Sequence, residues 1–274
     1  MTHVQTILSI LEAVAPQHLA ADWDNAGLLV GSPQSKVDGI LLALDPTVAL
    51  LAEAQSLNAN LIITHHPAIF QPLKRLRTDQ PSGQFLAAAL RAEISVIGCH
   101  TNFDATEGGV SDVLAEALAL TDISPLLPQE QGSRCGIGRI GSLPNALSPE
   151  DFLAWLLKAA KFPWLLEAGP RPAAVTKAAV CGGSCADLAE TALAAGADVF
   201  LTSEVKHHVA RWAEEAGLWL LDGGHFATEN PAMRQLTLLL AEQARQAGLN
   251  LPPLHLARQE APLRLAQPFV AENL

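Results

Sequence analysis

The chain has 274 residues, of which 49% are apolar and only 16% charged, and 28 acidic against 17 basic residues give a net charge of −11. That length allows one large domain or two ordinary ones, and an acidic chain without a Lys/Arg cluster offers the phosphates of a nucleic acid no basic surface, so no nucleic-acid partner is expected. No apolar run approaches the roughly twenty residues of a membrane span, the N-terminus lacks the pattern of a secretion signal, and four scattered cysteines do not form a disulfide framework, so a cytoplasmic protein with reduced thiols and no membrane contact is expected.

In chain order, residues His3 to Ala15 place Val4, Ile7, Leu8 and Leu11 on one face and predict a helix. Residues Trp23 to Gly31 read as a tight turn entering a strand. Short apolar runs at Ile40–Leu44, Leu61–Ile63 and Ile94–Ile97 predict buried strands, separated by helical patterns at Val48–Ser56 and Gly83–Ala92. Such alternation argues for strand–helix–strand units and a largely parallel sheet. The stretch from Thr121 to Pro149, rich in Pro and Gly, reads as a connection between domains. Pro231 to Ala247 predicts an amphipathic helix with Pro in its first turn, and the tail after Pro252 a strand or extended arm.

The second half repeats the first. Ala43 through Thr64 has a counterpart running from Val180 to Thr202, at an offset that sets His66 beside Glu204. Gly98 through Asp104 matches Gly223 through Glu229 at a smaller offset, so the first copy carries about thirteen extra residues between Pro67 and Pro81. The fold expected is therefore α/β, with two related halves at residues 1–124 and 125–274. Each half would hold a mixed or largely parallel sheet flanked by helices, with a metal site between them.

Three polar clusters follow predicted buried strands: His65-His66, His100 with Asp104, and His225 with Glu229. Residues at the carboxyl ends of parallel strands collect at binding sites, and adjacent strand residues point to opposite faces, so the two neighbouring imidazoles could straddle a cleft. A His and a carboxylate four residues apart share one face of a helical turn and can close on one cation. Taken singly, each cluster could equally be a loop or helix-capping feature. Together they supply four imidazoles and two carboxylates, more donors than one tetrahedral ion uses, which points to a pair of divalent ions. Nitrogen and oxygen donors without thiolate suit Zn, Fe, Mn, Co or Ni alike. Glu204, Lys206 and His208 are candidates for substrate contact or support of the ligands, against a plain helix start. Asn25 and Asp45 are weaker candidates, Asp45 also being placed to cap the helix after Pro46. The segment Cys181-Gly182-Gly183-Ser184 could offer its amides to an anion, but it lacks the spacing and lysine of a phosphate loop.

The motifs Trp23-Asp24-Asn25-Ala26-Gly27-Leu28, Thr64-His65-His66-Pro67, Leu201 to His208 and Asp222 to Glu229 resemble, in order and over nearly the whole chain, the signatures of one family. It is the family of GTP cyclohydrolase 1 type 2 homologues, also called Ngg-interacting-factor-three-like proteins, in its short bacterial form. The resemblance implies a dinuclear metal site on His65, His66, His100, Asp104, His225 and Glu229, two α/β halves, and a toroidal homohexamer. No base-recognition feature in the sequence supports the GTP ring-opening activity in the family's name. Three functions stand open: a metal-dependent hydrolase of a small molecule, a metal carrier or insertion factor, and an assembly protein whose metals are structural.

Overall fold

Two β-sheets organise the chain, and the computed structural model describes residues 1–158 and 160–265. The first sheet is built on three parallel strands, β2 (Ile40–Ala43), β3 (Leu61–Thr64) and β4 (Ser95–Gly98), joined through α2 (Val48–Ser56) and α3 (Pro81–Arg91). β1 (Gly27–Val30) pairs antiparallel with β4 at one edge. Every residue of β2, β3 and β4 is buried. That explains their continuous apolar reading, because helices cover both faces of a parallel sheet. Ile40 and Leu42 pack toward α1 (Val4–Val14), while Leu41 and Ala43 pack toward α2 and α3.

The second sheet repeats this core with β8 (Val175–Val180), β9 (Val199–Thr202) and β10 (Trp219–Asp222), parallel and connected through α7 (Ala189–Ala194) and α8 (His207–Ala216). β7 (Leu166–Ala168) lies antiparallel to β10, as β1 does to β4. The duplication thus extends to the edge strands, where no sequence match is visible. Each parallel core ends in a five-residue helix, α4 (Thr101–Ala105) after β4 and α9 (His225–Glu229) after β10.

Two expectations need correction. The Pro/Gly-rich stretch is not a linker: it forms β5 (Thr121–Pro128) and β6 (Gly136–Leu147), an antiparallel hairpin attached to β8. Pro125 and Pro128 sit on an edge strand, where a missing amide donor is tolerated. Gly136 and Gly141 lie where a Cβ would fall 2.3 Å and 2.7 Å from carbonyl oxygens of β5, so the glycines allow the two strands to close. Nor does a cut at residue 125 separate the two sheets. α10 (Pro231–Gln246) buries Met233, Leu236 and Leu240 against α1, and β11 (Leu254–Leu256) adds to the first sheet beside β2. The apolar face of α1 is thus shared between the first sheet and the end of the chain. α5 (Val110–Ala117) spans the two cores, with Val110 in one and Leu114 in the other.

Among the described residues no helix is long and apolar enough to cross a membrane.

Candidate metal centre

The carboxyl ends of the two parallel cores meet, and the clustered residues meet with them. His65 and His66 follow β3 directly, in a turn rather than on opposite faces of a strand; their rings lie 5.2 Å apart, and His65 is completely buried. His100 precedes α4, which brings Asp104 to the same point, while α9 carries His225 and Glu229 on one face. His65, His66 and His100 form one group able to hold a metal ion, and His66, His225 and Glu229 a second. Glu229 lies between them. Its Oε1 is 3.7 Å from His65 Nε2, and its Oε2 is 3.0 Å from Nε2 of both His66 and His225.

Each imidazole is tied on its outer nitrogen. Nδ1 of His65 is 2.9 Å from the Cys99 carbonyl, and that of His66 is 2.7 Å from Asp45. Nδ1 of His100 is 2.8 Å from Asp24, and that of His225 is 3.1 Å from Glu204. All four partners are acceptors, so each ring in its neutral form carries its proton on Nδ1 and turns the Nε2 lone pair inward, the arrangement that fixes a metal-binding tautomer. Nε2 of His66 and of His225 then face each other at 3.2 Å. With both rings neutral, two lone pairs at that distance repel unless a proton or a metal cation stands beside them. His65 Nε2, Asp104 Oδ1 and Glu229 Oε2 are buried without a hydrogen-bond partner, which is destabilising unless something else satisfies them. On these grounds the donor set fits divalent cations.

The charges are strained in the same sense. Burial, together with the nearby Glu229, raises the Asp104 carboxyl above the ordinary range, although the surrounding imidazoles oppose the shift. Burial would raise Glu229 too, but the close imidazoles of His225, His65 and His66 outweigh it and hold that carboxyl well below its usual value. Burial would lower the His66 imidazole; Asp45 and Glu229 overcome this and lift it to about 10.

Asp24 is the residue that sequence reasoning missed. Its side chain is fully buried, accepts from the Thr101 amide and hydroxyl, and holds His100 Nδ1. Those hydrogen bonds outweigh its burial and keep its carboxyl far below the carboxylate range. The hints were its place in the turn before β1 and in one of the motifs that carry the family resemblance, and neither names its partner, which lies 76 residues away. Asp45 does not cap a helix: Thr47 accepts from the Leu50 amide at the start of α2, which frees Asp45 for His66. Glu204, at φ 55°, reaches His225. Asp222 accepts from the amides of Val205 and Gly224 and so joins the loops that carry these two residues. Lys206 and His208 are exposed, and neither makes a hydrogen bond or ion pair to the cluster among the described residues.

The glycines at 182 and 183 serve closeness rather than anion binding. The Gly183 amide donates to Thr228 Oγ1, and a Cβ on Gly183 would fall 2.1 Å from Glu229 Oε1.

A cavity of about 930 Å³ opens over the cluster, with Leu19, Trp23 and Phe70 contributed by the first half and Leu127 and Ile137 by the β5–β6 hairpin.

Comparison with known proteins places the chain. A family model described as Duf34/NIF3 (NGG1p interacting factor 3) matches residues 2–262. The chain belongs to this family. A relative from Nostoc sp. named GTP cyclohydrolase 1 type 2 homolog is 36% identical over 227 residues, spanning 82% of this chain and 83% of its own. One of the same name from Clostridium perfringens is 32% identical and spans 86% and 90%. The crystal structure of Staphylococcus aureus protein SA1388 superposes with a TM-score of 0.90 at 26% identity, covering 97% of this chain and 99% of that one. This Duf34/NIF3 chain therefore shares its two-sheet α/β architecture with a solved relative along nearly its whole length.

Proposed function

We propose that this Duf34/NIF3 chain is a dinuclear metal protein that hydrolyses a small molecule, with His65, His66, His100, Asp104, His225 and Glu229 as the ligands of two divalent ions. The observation that carries this reading is the outward tethering of all four Nδ1 atoms around a centre where His65 Nε2, Asp104 Oδ1 and Glu229 Oε2 are buried with no partner of their own. Divalent ions would supply Lewis-acid activation of water and neutralise charge developing on the substrate. The protein's part is orientation. Glu229 directs one oxygen toward His65 and the other toward His66 and His225, which suits a carboxylate shared between two ions. Asp24, Asp45 and Glu204 hold ring tautomers, while the apolar cavity walls restrict water beside the cluster.

A hydrolytic role is favoured over a carrier or a purely structural role because the cluster borders a cavity large enough for a small-molecule ligand. A sealed structural site has no use for that space. By the same reading the protein works in the cytoplasm, with a toroidal homohexamer as its assembly. The test is a screen of phosphoesters and cyclic amides with protein reloaded with Zn, Mn, Fe, Co or Ni. Turnover that requires metal and is lost in His225→Ala supports hydrolysis. Rapid handover of bound metal to a chelator, with no turnover of any compound, would favour the carrier.

A further inference from the structure

The turn Trp23-Asp24-Asn25 does more than orient His100. Trp23 is 61% exposed and Phe70 48%, and both line the cavity over the cluster. Their ring centroids are 5.8 Å apart in an edge contact, and they pack edge-on to His100 at 6.0 Å and 6.2 Å. Both rings are anchored. Asp24 binds His100 on one side of Asn25, and Asn25 Nδ2 donates to the Ile69 carbonyl at 2.6 Å, pinning the residue before Phe70. A planar group resting on this pair would lie alongside His100, with its edge toward the inward Nε2 atoms. Exposed aromatic rings at a concave site supply broad apolar contact with a defined stacking geometry.

Among the described residues no Lys or Arg lines the cavity, whereas Asp22, Asp104 and Glu229 do. Recognition by the cavity wall is therefore of a ring rather than of an anion, any charged tail being left to the ions of the proposed centre. We propose that Trp23 and Phe70 form a stacking clamp for the planar heteroaromatic ring of a small molecule. This rests on reading the adjacent cluster as a metal-dependent reaction centre. It adds what the cluster cannot supply, namely selection of the ring.

The test is calorimetry with guanosine and quinoline as probes and cyclohexanol as the non-aromatic control, on zinc-loaded and metal-free protein. The clamp predicts saturable binding of a ring probe to the wild type and none of cyclohexanol. Trp23→Ala and Phe70→Ala should each weaken that binding by about tenfold, the scale of a lost base–aromatic stack, while Trp23→Phe retains most of it. Both side chains are exposed, so neither truncation removes core, and zinc content should stay unchanged. Failure of both probes to bind at millimolar concentration overturns the clamp, as does binding that survives both alanine variants. A Trp23→Ala protein that changes oligomeric mass but keeps ring affinity would assign the exposed rings to a second copy of the chain instead. Zinc uptake without ring binding would remove the clamp alone; ring binding without zinc uptake would remove the metal reading alone.

Discussion

At the scale of single residues, the cluster depends on groups that never face its centre. Asp24 is the strongest case, because it combines full burial with three hydrogen bonds to the His100 segment. Asp24→Ala should leave the fold intact and weaken metal affinity about 10–100-fold, the usual effect of losing a partner behind a histidine ligand; a competition titration with a chelator measures it. The pH dependence follows from His66. Its imidazole is raised from 6.5 to about 10, so in metal-free protein it contributes stability that is complete below 6.5 and lost as pH climbs through about 10. Metal binding runs the other way, since the proton must leave Nε2 and apparent affinity weakens as pH falls. Calorimetry of zinc binding near neutral pH in buffers of different ionisation heat should therefore register proton release. Binding heat that does not vary with the buffer would contradict this. His100, Asp104, His225 and Glu229 were legible in the sequence because the duplication marks that pair twice, and His65 and His66 because they end a buried strand. Asp24 was not, because nothing local distinguishes a residue whose partner is distant.

At the scale of elements, the apolar runs gave the parallel strands to within a residue or so, because strands buried on both faces leave a continuous signal. The β5–β6 hairpin was misread because Pro and Gly usually punctuate loops, and only the partner strand reveals that close approach needs them. The five-residue helices α4 and α9 are too short for a periodic signal, yet they place four of the six clustered side chains or their neighbours. The loop behind α9 also constrains the cluster through Gly183. Gly183→Ala adds a Cβ 2.1 Å from Glu229 Oε1 at φ 71°, whereas Gly217→Ala meets only the strain of φ 82° in open space. Each should lose on the order of 1 kcal/mol to backbone strain. Gly183→Ala should lose more and also bind less metal, and differential scanning calorimetry with elemental analysis compares the two. Equal Tm shifts and equal metal content would show that Glu229 is not held where this account puts it.

At the scale of the whole molecule, the two halves are interlocked by elements that local pattern could not assign. The amphipathic face of α10 was readable, but its burial against α1 and the addition of β11 to β2 are pairings between opposite ends of the chain. A fragment of residues 1–124 would expose the α1 face that Met233, Leu236 and Leu240 cover. It should be unfolded or aggregated by circular dichroism and light scattering; a stable, cooperatively melting fragment would contradict that interlocking. The site itself belongs to this scale, because His66 and His225 come from different sheets and approach to 3.2 Å only when both halves are in place.

The central claim is that this junction holds two divalent ions. Elemental analysis of protein purified anaerobically and reloaded with a divalent metal tests it most directly, read beside the His225→Ala variant. The account predicts two equivalents per chain in the wild type and a marked loss in a variant that remains folded. A wild type that retains no metal after reloading, or a His225→Ala protein with unchanged metal content, would contradict it.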